Sequence, residues 1–322
     1  MTGMTETIRQ IVDAIRAGST FLITTHEGPD GDAVGSSLGM ARFLQCIGKN
    51  VTVHYADPVP DLYSFLPGAG SVLSAIPDHD FDVAFVLDVG EYRRAGKEFC
   101  SFGRIGTLIN LDHHLTCENF GVHNLIDTNA AATGVLVHRI ASAYGYKFDP
   151  ETALCLYVAI ITDTGSFRYS NANREAFTLA GEMIEAGVNA WDVAEQLYEN
   201  QPRKRLELLS RCLPTLEVVC NGLAASVTVT LGMYAETDAD AQLTDGFVNY
   251  PRSIRGVEVA IFFRQLEERK FKVGFRSKGT VNVAGFSAAL GGGGHHNAAG
   301  CTVSGTLEEV KSVVYKIVED AL

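Results

Sequence analysis

Residues 21–48 read FLITTHEGPDGDAVGSSLGMARFLQCIG and join two kinds of pattern. The apolar run FLITT predicts a buried strand, and the amphipathic run that starts near Asp32 predicts a helix. The turn between them carries His26, Asp30 and Asp32. A helix start accommodates one carboxylate well, because its free N–H groups and its dipole favour negative charge. A single helix cap therefore does not explain one imidazole and two carboxylates together.

The same alternation of strand and helix continues through the first part of the chain. Further strands are predicted at 50–57, 81–90 and 106–114, and further helices at 130–145 and from Pro150 onward. Apolar strands that alternate with helices predict a parallel sheet with helices on both faces. Ligands of such folds bind at the carboxyl ends of the strands.

The length of 322 residues favours two domains. We predict an α/β fold with a larger parallel-sheet catalytic domain over 1–189, a helical connector over 190–218 and a smaller, strand-rich α/β domain over 219–322.

Composition excludes several classes of protein. The net charge is −12, and residues 219–322 contribute almost none of it, with 10 Lys and Arg against 11 Asp and Glu. Such a chain lacks the basic face of a duplex-DNA-binding protein. It also lacks the run of about 18 apolar residues that a membrane span requires and the apolar core of a secretory signal. Its seven Cys form no C-x-x-C pair, which favours free thiols and a cytoplasmic protein.

Acidic and histidine residues recur at the predicted strand ends and turns: His26, Asp30, Asp32, Asp88, Asp112, His113, His114 and Asp163. Mixed imidazole and carboxylate ligands suit divalent metals such as manganese, and six ligands could hold two ions. Without metal, the carboxylates would repel one another. Taken singly, each residue has an ordinary alternative: Asp32 as a helix cap, Asp88 as a turn residue, or His113 as a core histidine. Jointly these alternatives are weaker, because all the segments are expected to end at one edge of the sheet.

A second pattern lies near the C-terminus, where 274–279 read GFRSKG and 291–300 read GGGGHHNAAG. Consecutive glycine N–H groups can form an anion-binding nest. Arg276 and Lys278 are expected on one face of a strand, where Arg276 could bind a phosphate through two hydrogen bonds. The alternatives are a flexible turn and a solvated charge pair on an edge strand. The chain has no G-x-G-x-x-G after a strand, no P-loop and no G-x-S-x-G elbow at a turn from a strand into a helix, which argues against dinucleotide oxidoreductases, P-loop enzymes and serine hydrolases.

The order H-x3-D-G-D-A-x-G-S, then an isolated strand-end Asp, then DHH, then TDTGSF resembles the DHH phosphoesterase superfamily. The segments FRSKG and GGGGHHNAAG are similar to its DHH-associated C-terminal domain. The resemblance covers nearly the whole chain and is strongest to the NrnA-type nano-RNases. Members of that family remove nucleotides from very short oligonucleotides. Some also dephosphorylate 3′-phosphoadenosine 5′-phosphate (PAP), and some cleave cyclic or linear di-adenylate.

The resemblance implies a specific site. The first manganese ion would be held by His26, Asp30 and Asp88, and the second by Asp32, Asp88, His113 and Asp163, with Asp88 bridging. His114 would face the scissile phosphate, and Asp112 would orient the two histidines. Gly31 would let the backbone turn so that Asp30 and Asp32 point at different ions. The substrate's terminal phosphate and nucleotide would be bound by Arg276, Ser277, Gly293, Gly294 and His295.

The expected activity is manganese-dependent hydrolysis of short single-stranded oligonucleotides to mononucleotides, with PAP phosphatase activity as an addition. A phosphodiesterase of cyclic or linear di-adenylate is the main alternative. A nucleotide sensor without turnover is weaker, because no expected ligand is missing. Type II inorganic pyrophosphatase is also weaker, because its second domain lacks a Gly-rich His loop. The sequence leaves the oligomeric state open, a homodimer included.

Overall fold

The computed structural model describes residues 2–279 and 281–322. The chain divides into two compact units, with the division between Glu199 and Asn200. No helix within the described residues has the length and apolar character that a membrane crossing requires.

The first unit is built on five strands: β1 (Thr20–Thr24), β2 (Asn50–Val53), β3 (Phe81–Leu87), β4 (Ile105–Asp112) and β5 (His123–Ile126). All of their pairings are parallel, and the strand order is β2-β1-β3-β4-β5. In this order the connections leave β1 and β3 in opposite directions, which opens a crevice at the carboxyl ends of these two strands. The predicted parallel sheet is confirmed.

The described part of the first unit places these α-helices around the sheet: α1 (Thr2–Ala17), α2 (Gly31–Cys46), α3 (Lys97–Ser101), α4 (Thr133–Tyr144), α5 (Pro150–Asp163), α6 (Arg174–Glu185) and α7 (Ala190–Ala194). Asp149 caps α5 by accepting the N–H groups of Glu151 and Thr152, with Pro150 as the first helical residue, as predicted.

The two faces of the sheet pack against different helices. Phe21 and Phe85 lie in the large core to which α2, α4 and α5 contribute. Leu22 and Val86 point to the other face, where they pack with Phe99 of α3. Helices therefore cover both faces, as the alternating pattern predicts.

Helix α2 approaches α5 closely through Gly31, Gly35 and Gly39, which lie one turn apart. A Cβ atom on Gly35 would be 2.5 Å from the carbonyl oxygen of Cys155, and one on Gly31 would be 2.6 Å from Cβ of Thr162. Gly31 is the first residue of α2 rather than part of the preceding turn. Its expected role in bending the backbone is therefore wrong: glycine is needed here because α5 passes so near.

The described residues of the second unit form these strands and helices: β6 (Glu217–Val219), β7 (Ala224–Val229), β8 (Val259–Glu267), β9 (Lys270–Ser277), β10 (Gly293–His295), β11 (Ala298–Ser304), α8 (Arg203–Cys212), α9 (Leu231–Thr237), α10 (Asn249–Arg252), α11 (Val283–Ala289) and α12 (Leu307–Glu319). The strand order is β10-β11-β9-β8-β7-β6; β7 and β8 pair in parallel, and the other neighbours pair antiparallel. Phe263, Val273 and Phe275 pack on Val310 and Val314 of α12. The predicted smaller α/β architecture is confirmed.

Candidate metal centre

Three neighbouring strands deliver the predicted residues to one edge of the first sheet. His26 follows β1 by two residues, Asp88 comes directly after β3, and Asp112 is the last residue of β4. Asp163 comes from a helix: it is the last residue of α5, the helix that the sequence predicts from Pro150 onward. The close approach of α2 and α5 at Gly31 is what brings this helix end to the site.

Asp88 lies between two groups of side chains. Its backbone has φ of 61°, a left-handed conformation that is uncommon outside glycine, and the residue is 2% exposed. Oδ2 lies 3.7 Å from Nε2 of His26, and Oδ1 lies 3.7 Å from Nε2 of His113. The hydroxyl of Thr133 donates to Oδ1 at 3.1 Å. The two oxygens of one carboxylate thus face two different histidines.

The first group consists of His26, Asp30 and Asp88, each of which offers a ligand atom within 4.8 Å of the others. Nδ1 of His26 lies 2.9 Å from the carbonyl oxygen of Glu27, which leaves Nε2 for the side toward Asp88. Asp30 is the N-cap of α2, where Oδ1 accepts the N–H groups of Asp32 and Ala33.

The second group consists of Asp32, His113 and Asp163, again with ligand atoms within 4.8 Å. Nε2 of His113 lies 3.8 Å from Asp32 and 3.7 Å from Asp163, and Nδ1 lies 3.1 Å from the carbonyl oxygen of Ala130. Asn171 donates from Nδ2 to Oδ2 of Asp163 at 3.1 Å. A further overlapping group contains Asp88, His113 and His114.

Asp32 does not cap its own helix. Its two oxygens accept the backbone N–H groups of Thr133 at 2.6 Å and Gly134 at 3.0 Å, at the start of α4. The alternative that Asp32 is merely the cap of the helix that follows it is therefore wrong, because Asp30 holds that position.

The electrostatics of this centre indicate a need for positive charge. Burial and the charge of Asp88 raise the pKa of Asp32, and burial raises the pKa of Asp163 to about 6. Burial alone would lower the pKa of His113, but the charges of Asp163, Asp88 and Asp32 raise it to about 10. The raised pKa values of Asp32 and Asp163 mean that it is unfavourable for these buried carboxylates to be charged so close together. Bound cations would stabilise their charged forms.

The donor atoms fit divalent metal ions. Nδ1 of His113 contacts the carbonyl oxygen of Ala130, so the ring in its neutral form carries its proton on Nδ1 and presents the Nε2 lone pair to the carboxylates. Nδ1 of His26 contacts the carbonyl oxygen of Glu27 and also lies 3.3 Å from Nη2 of Arg94, and its Nε2 faces Asp88. Imidazole nitrogens together with carboxylate oxygens suit borderline first-row metals.

Asp112 contacts both histidines that follow it. Its Oδ1 accepts a hydrogen bond from Nδ1 of His114 and another from the backbone N–H of His113 at 2.9 Å. The rings of His113 and His114 are 5.0 Å apart, and Asp112 is fully buried. Asp112 thus contacts both histidines, and its role in orienting them stays a prediction.

Sequence reasoning missed two side chains that contact the predicted ligands, Thr133 and Asn171. The sequence does carry a signal that the start of α4 contacts a distant residue. Helix α4 begins after Ala132, which has no side chain that can cap it, so a distant residue must accept the first N–H groups. Asn171 carries no such signal.

In the second unit, β9, β11 and β10 bring together the segments of the Gly-rich pattern. Across these neighbouring strands Arg276 is in register with Ala298, and Ala298 with His295. Gly294 has φ of 143°, and a Cβ atom there would be 2.6 Å from the carbonyl oxygen of Ala298. Gly293 pairs with Gly300. The side chain of His295 lies outside the part of the chain that the structure describes.

The structure adds detail to two residues of the second pattern: Ser277, which was expected to bind substrate, and Lys278, which was expected on one strand face with Arg276. Ser277 is 1% exposed, and its hydroxyl donates to Oδ1 of Asn297 at 2.9 Å. The carbonyl oxygen of Asn297, a residue that sequence reasoning missed, also accepts the backbone N–H of Ser277. Lys278 lies beyond the end of β9 and donates to the carbonyl oxygen of Ile254, so its expected place beside Arg276 on the strand is wrong.

Known proteins resemble this chain over nearly its whole length. Residues 20–160 match the DHH family, N-terminal domain, and residues 223–322 match the DHHA1 domain. A protein of Thermus thermophilus named "Bifunctional oligoribonuclease and PAP phosphatase NrnA" is 32% identical over 98% of this chain and 95% of its own length. A protein of the same name from Bacillus subtilis is 27% identical over 91% of this chain and 92% of its own.

Among solved structures, that of an exopolyphosphatase-related protein from Bacteroides fragilis superposes with a TM-score of 0.92 at 30% identity, covering 98% of this chain and 96% of the other. Family matches, relatives and superposition all extend over both units. The chain therefore belongs to the DHH family of phosphoesterases and carries a C-terminal DHHA1 domain.

Proposed function

We propose that this protein hydrolyses short single-stranded oligonucleotides to mononucleotides with two divalent metal ions, and that manganese is the ion. One observation carries the proposal: Asp88 directs one oxygen toward His26 and the other toward His113, and so joins two groups of potential ligands. Two ions that share a carboxylate suit the transfer of a phosphoryl group to water.

The proposed ligands divide into two sets around Asp88. His26 and Asp30 complete the first set, and Asp32, His113 and Asp163 complete the second. When bound, the metal pair lowers the pKa of a coordinated water and neutralises charge on the phosphoryl oxygens.

The other side chains of the centre orient the proposed ligands and donate hydrogen bonds. Asp112 accepts a hydrogen bond from Nδ1–H of His114, which fixes the ring. Burial lowers the pKa of His114, but the hydrogen bond with Asp112 and the charge of Asp88 outweigh burial and raise it, so the ring protonated on both nitrogens can donate from Nε2 to the phosphate. Thr133 holds Asp88 in place through one hydrogen bond, and Nδ2 of Asn171 donates both to Oδ2 and to the backbone carbonyl oxygen of Asp163.

The second unit, in this proposal, supplies the residues that bind the end of the substrate. Arg276, the N–H groups of Gly293 and Gly294, and His295 bind the terminal phosphate and nucleotide of the substrate. Ser277 is buried, and we assign it an indirect part: it holds Oδ1 of Asn297, so that the amide nitrogen of Asn297 is the donor to the substrate.

The relatives support this choice of substrate, because two of them are named oligoribonuclease and PAP phosphatase. A dinucleotide and PAP both present a nucleotide with a terminal phosphate, so one binding site serves both activities. The net charge of −12 favours a short anion bound by a few local cations over duplex DNA. A cytoplasmic location agrees with these substrates and stays part of the proposal.

A panel of substrates tests the proposal. The purified protein is stripped of metal with a chelator, supplied with Mn²⁺, Mg²⁺, Co²⁺ or Zn²⁺, and given linear dinucleotides, 5-mers, 24-mers, cyclic di-adenylate, PAP and pyrophosphate. We expect mononucleotides from the 2-mers and 5-mers, fastest with Mn²⁺, and much slower turnover of 24-mers. Turnover of cyclic di-adenylate or pyrophosphate alone would contradict the proposal, and so would nucleotide binding without product.

A matched pair of variants ties the activity to the centre. Asp88→Asn is expected to lower kcat at least 100-fold by weakening both ligand sets. Asp82→Asn changes the same residue type at the opposite, exposed end of β3, where Asp82 accepts the N–H of Ser19. We expect Asp82→Asn to retain full activity; equal losses in the two variants would refute the bridging role.

A further inference from the structure

Arg94 brings a positive charge to the edge of the metal centre. It lies in the short turn Tyr92–Ala95 that follows Asp88, and its Nη2 atom lies 3.3 Å from Nδ1 of His26. His26 and Asp88 both belong to the first ligand group, so the guanidinium contacts a residue of that group. A phosphate that reaches this centre approaches several carboxylates, and a cation at the edge offsets their repulsion.

The backbone of Arg94 is fixed, although the residue is exposed. Its carbonyl oxygen accepts the backbone N–H of Glu27 at 2.7 Å, and the next residue, Ala95, is fully buried. The chain then passes so close to Ala56 that a Cβ atom on Gly96 would be 2.5 Å from Cβ of Ala56. The turn therefore presents an exposed guanidinium from a fixed point beside the metal centre.

The guanidinium of Arg94 forms no ion pair with a carboxylate among the residues that the structure describes. The neighbouring Arg93 differs, because its guanidinium forms an ion pair with Glu91 at 2.6 Å. An arginine offers five N–H donors, and its planar fork matches the oxygens of a phosphate. Arg94 is therefore the arginine of this turn that is suited to bind an anionic substrate.

The contact with His26 does not occupy Arg94 when the ring is a metal ligand. Nδ1 of His26 lies 2.9 Å from the carbonyl oxygen of Glu27 and 3.3 Å from Arg94, and it can satisfy only one of them. As N–H it donates to the carbonyl oxygen, whereas as a lone pair it accepts from Arg94. A neutral ring that binds metal through Nε2 carries its proton on Nδ1, so Glu27 takes that hydrogen bond and the donors of Arg94 are available to the substrate.

We propose that Arg94 is a catalytic residue, whose guanidinium donates hydrogen bonds to the non-bridging oxygens of the scissile phosphate. This inference rests on the proposed function. A guanidinium at this place stabilises negative charge on the phosphoryl oxygens, and its parallel N–H groups fix the orientation of the phosphate.

Three variants test the inference on a linear dinucleotide at saturating Mn²⁺. Arg94→Ala removes the guanidinium, and Arg94→Lys keeps the charge without the planar fork. Arg93→Ala is the control, because Arg93 is the same residue type in the same turn and is paired with Glu91. We expect Arg94→Ala to lower kcat by about 100- to 1000-fold, Arg94→Lys to recover part of that loss, and Arg93→Ala to match the parent.

A role confined to holding His26 would give a different result. Arg94→Ala would then bind manganese more weakly and would regain the parental kcat once the manganese concentration is raised, and this outcome overturns the inference. Equal losses in Arg94→Ala and Arg93→Ala overturn it as well. Bound manganese and unfolding temperature are measured for each variant, so that a loss of metal or of fold is recognised.

Binding of inorganic phosphate tests the inference without turnover. Calorimetry measures this binding in manganese-loaded protein that carries Arg276→Ala, which removes the arginine proposed to bind phosphate in the second unit. Adding Arg94→Ala is expected to raise the Kd for phosphate by about 10-fold or more, and adding Arg93→Ala to leave it unchanged. An unchanged Kd after Arg94→Ala, or no phosphate binding before it, refutes the inference. If the parent protein hydrolyses no substrate of the panel, the proposed function fails, and the phosphate titration still tests the contact.

Discussion

The carboxylate of Asp32 accepts the backbone N–H of Thr133 at 2.6 Å, although the two residues are 101 positions apart in the chain. Thr133 begins α4, whose cap position is an alanine that cannot accept this hydrogen bond. The hydroxyl of the same Thr133 donates to Asp88. One residue at the start of a helix therefore holds a carboxylate from each of the two ligand groups, so the centre is part of the packing of α2 against α4.

Substitutions of Asp30 and of Asp32 are expected to remove different metal ions, because each residue belongs to a different ligand group. Asp30→Asn and Asp32→Asn should each bind one manganese ion in place of two. Combining Asp32→Asn with Asp163→Asn removes two ligands of the same ion, so one ion should remain. Combining Asp30→Asn with Asp163→Asn removes a ligand of each ion, so no tightly bound ion should remain.

Elemental analysis after gel filtration counts the ions in these variants. Asn caps a helix about as well as Asp, so Asp30→Asn should also leave the unfolding temperature of the metal-free protein near the parental value. The same metal count in both double variants would contradict the division into two groups.

The strand-end residues could be predicted from the sequence alone. His26, Asp88 and Asp112 each follow an apolar strand, and the carboxyl ends of parallel strands meet at one edge. The division of the ligands between two ions was a different kind of prediction. It came from the resemblance to a family, and no spacing rule would have produced it.

The contacts that complete the centre could not be predicted, because each depends on which elements cross. Thr133 contacts Asp88 although the two residues are 45 positions apart. Position 31 requires a glycine only because Thr162 of α5 lies beside it. Hydrophobic periodicity tells which face of a helix is buried, but it does not tell which helix lies against that face.

Gly31→Ala is expected to destabilise the protein and to lower metal affinity. The added Cβ would be 2.6 Å from Cβ of Thr162, so α5 must move, and Asp163 lies at the next position. Overpacking of this kind costs about 1–3 kcal/mol. Thermal unfolding and manganese titration measure the two effects.

The control is Gly181→Ala in α6, where a Cβ atom meets nothing within 4 Å. Alanine in that exposed helix position should raise stability by up to about 1 kcal/mol. Equal changes in the two glycine variants would show that α2 and α5 are not in close contact at Gly31.

Thr133→Val removes the hydroxyl that donates to Asp88 and leaves the backbone N–H that donates to Asp32. The ligand Asp88 then loses this donor, and we expect kcat or manganese affinity to fall by about 10- to 100-fold. Steady-state kinetics across a manganese titration separate these effects. Thr178→Val on α6 is the control, since that exposed hydroxyl donates to the carbonyl oxygen of Arg174, and it should behave as the parent.

Because of Asp127, the free energy of unfolding should depend on pH in the acid range. Asp127 accepts a hydrogen bond from Arg139 at 2.7 Å. In the same turn, the carbonyl oxygen of Ala130 contacts Nδ1 of His113. Burial raises the pKa of Asp127, but the hydrogen bonds from Arg139 and from Asn129 outweigh burial and lower it below 3.8. The folded state thus binds the proton less readily than the unfolded state, so this stabilisation is complete above about pH 4 and is lost as pH falls further.

Unfolding of the parent and of Asp127→Asn is compared from pH 7 to pH 3 in chelator. At pH 7 the variant should be less stable by about 2 kcal/mol, the usual worth of a hydrogen bond to a charged group. The difference should shrink below pH 4. A constant difference over this range would show that the charge of Asp127 contributes nothing.

Ser277 and Asn297 should act as one unit in substrate binding, because Ser277 is buried and its hydroxyl donates to Oδ1 of Asn297. Ser277→Ala and Asn297→Ala are each expected to raise KM for a dinucleotide several-fold with kcat nearly unchanged. The double variant should be no worse than Asn297→Ala, since residues of one hydrogen-bonded pair are not additive. Hydrolysis of bis(p-nitrophenyl) phosphate, which carries neither nucleobase nor terminal phosphate, should be equal in all four proteins. Additive effects in the double variant would mean that Ser277 contributes independently of Asn297, and a loss on the nitrophenyl ester would place the defect at the metal centre.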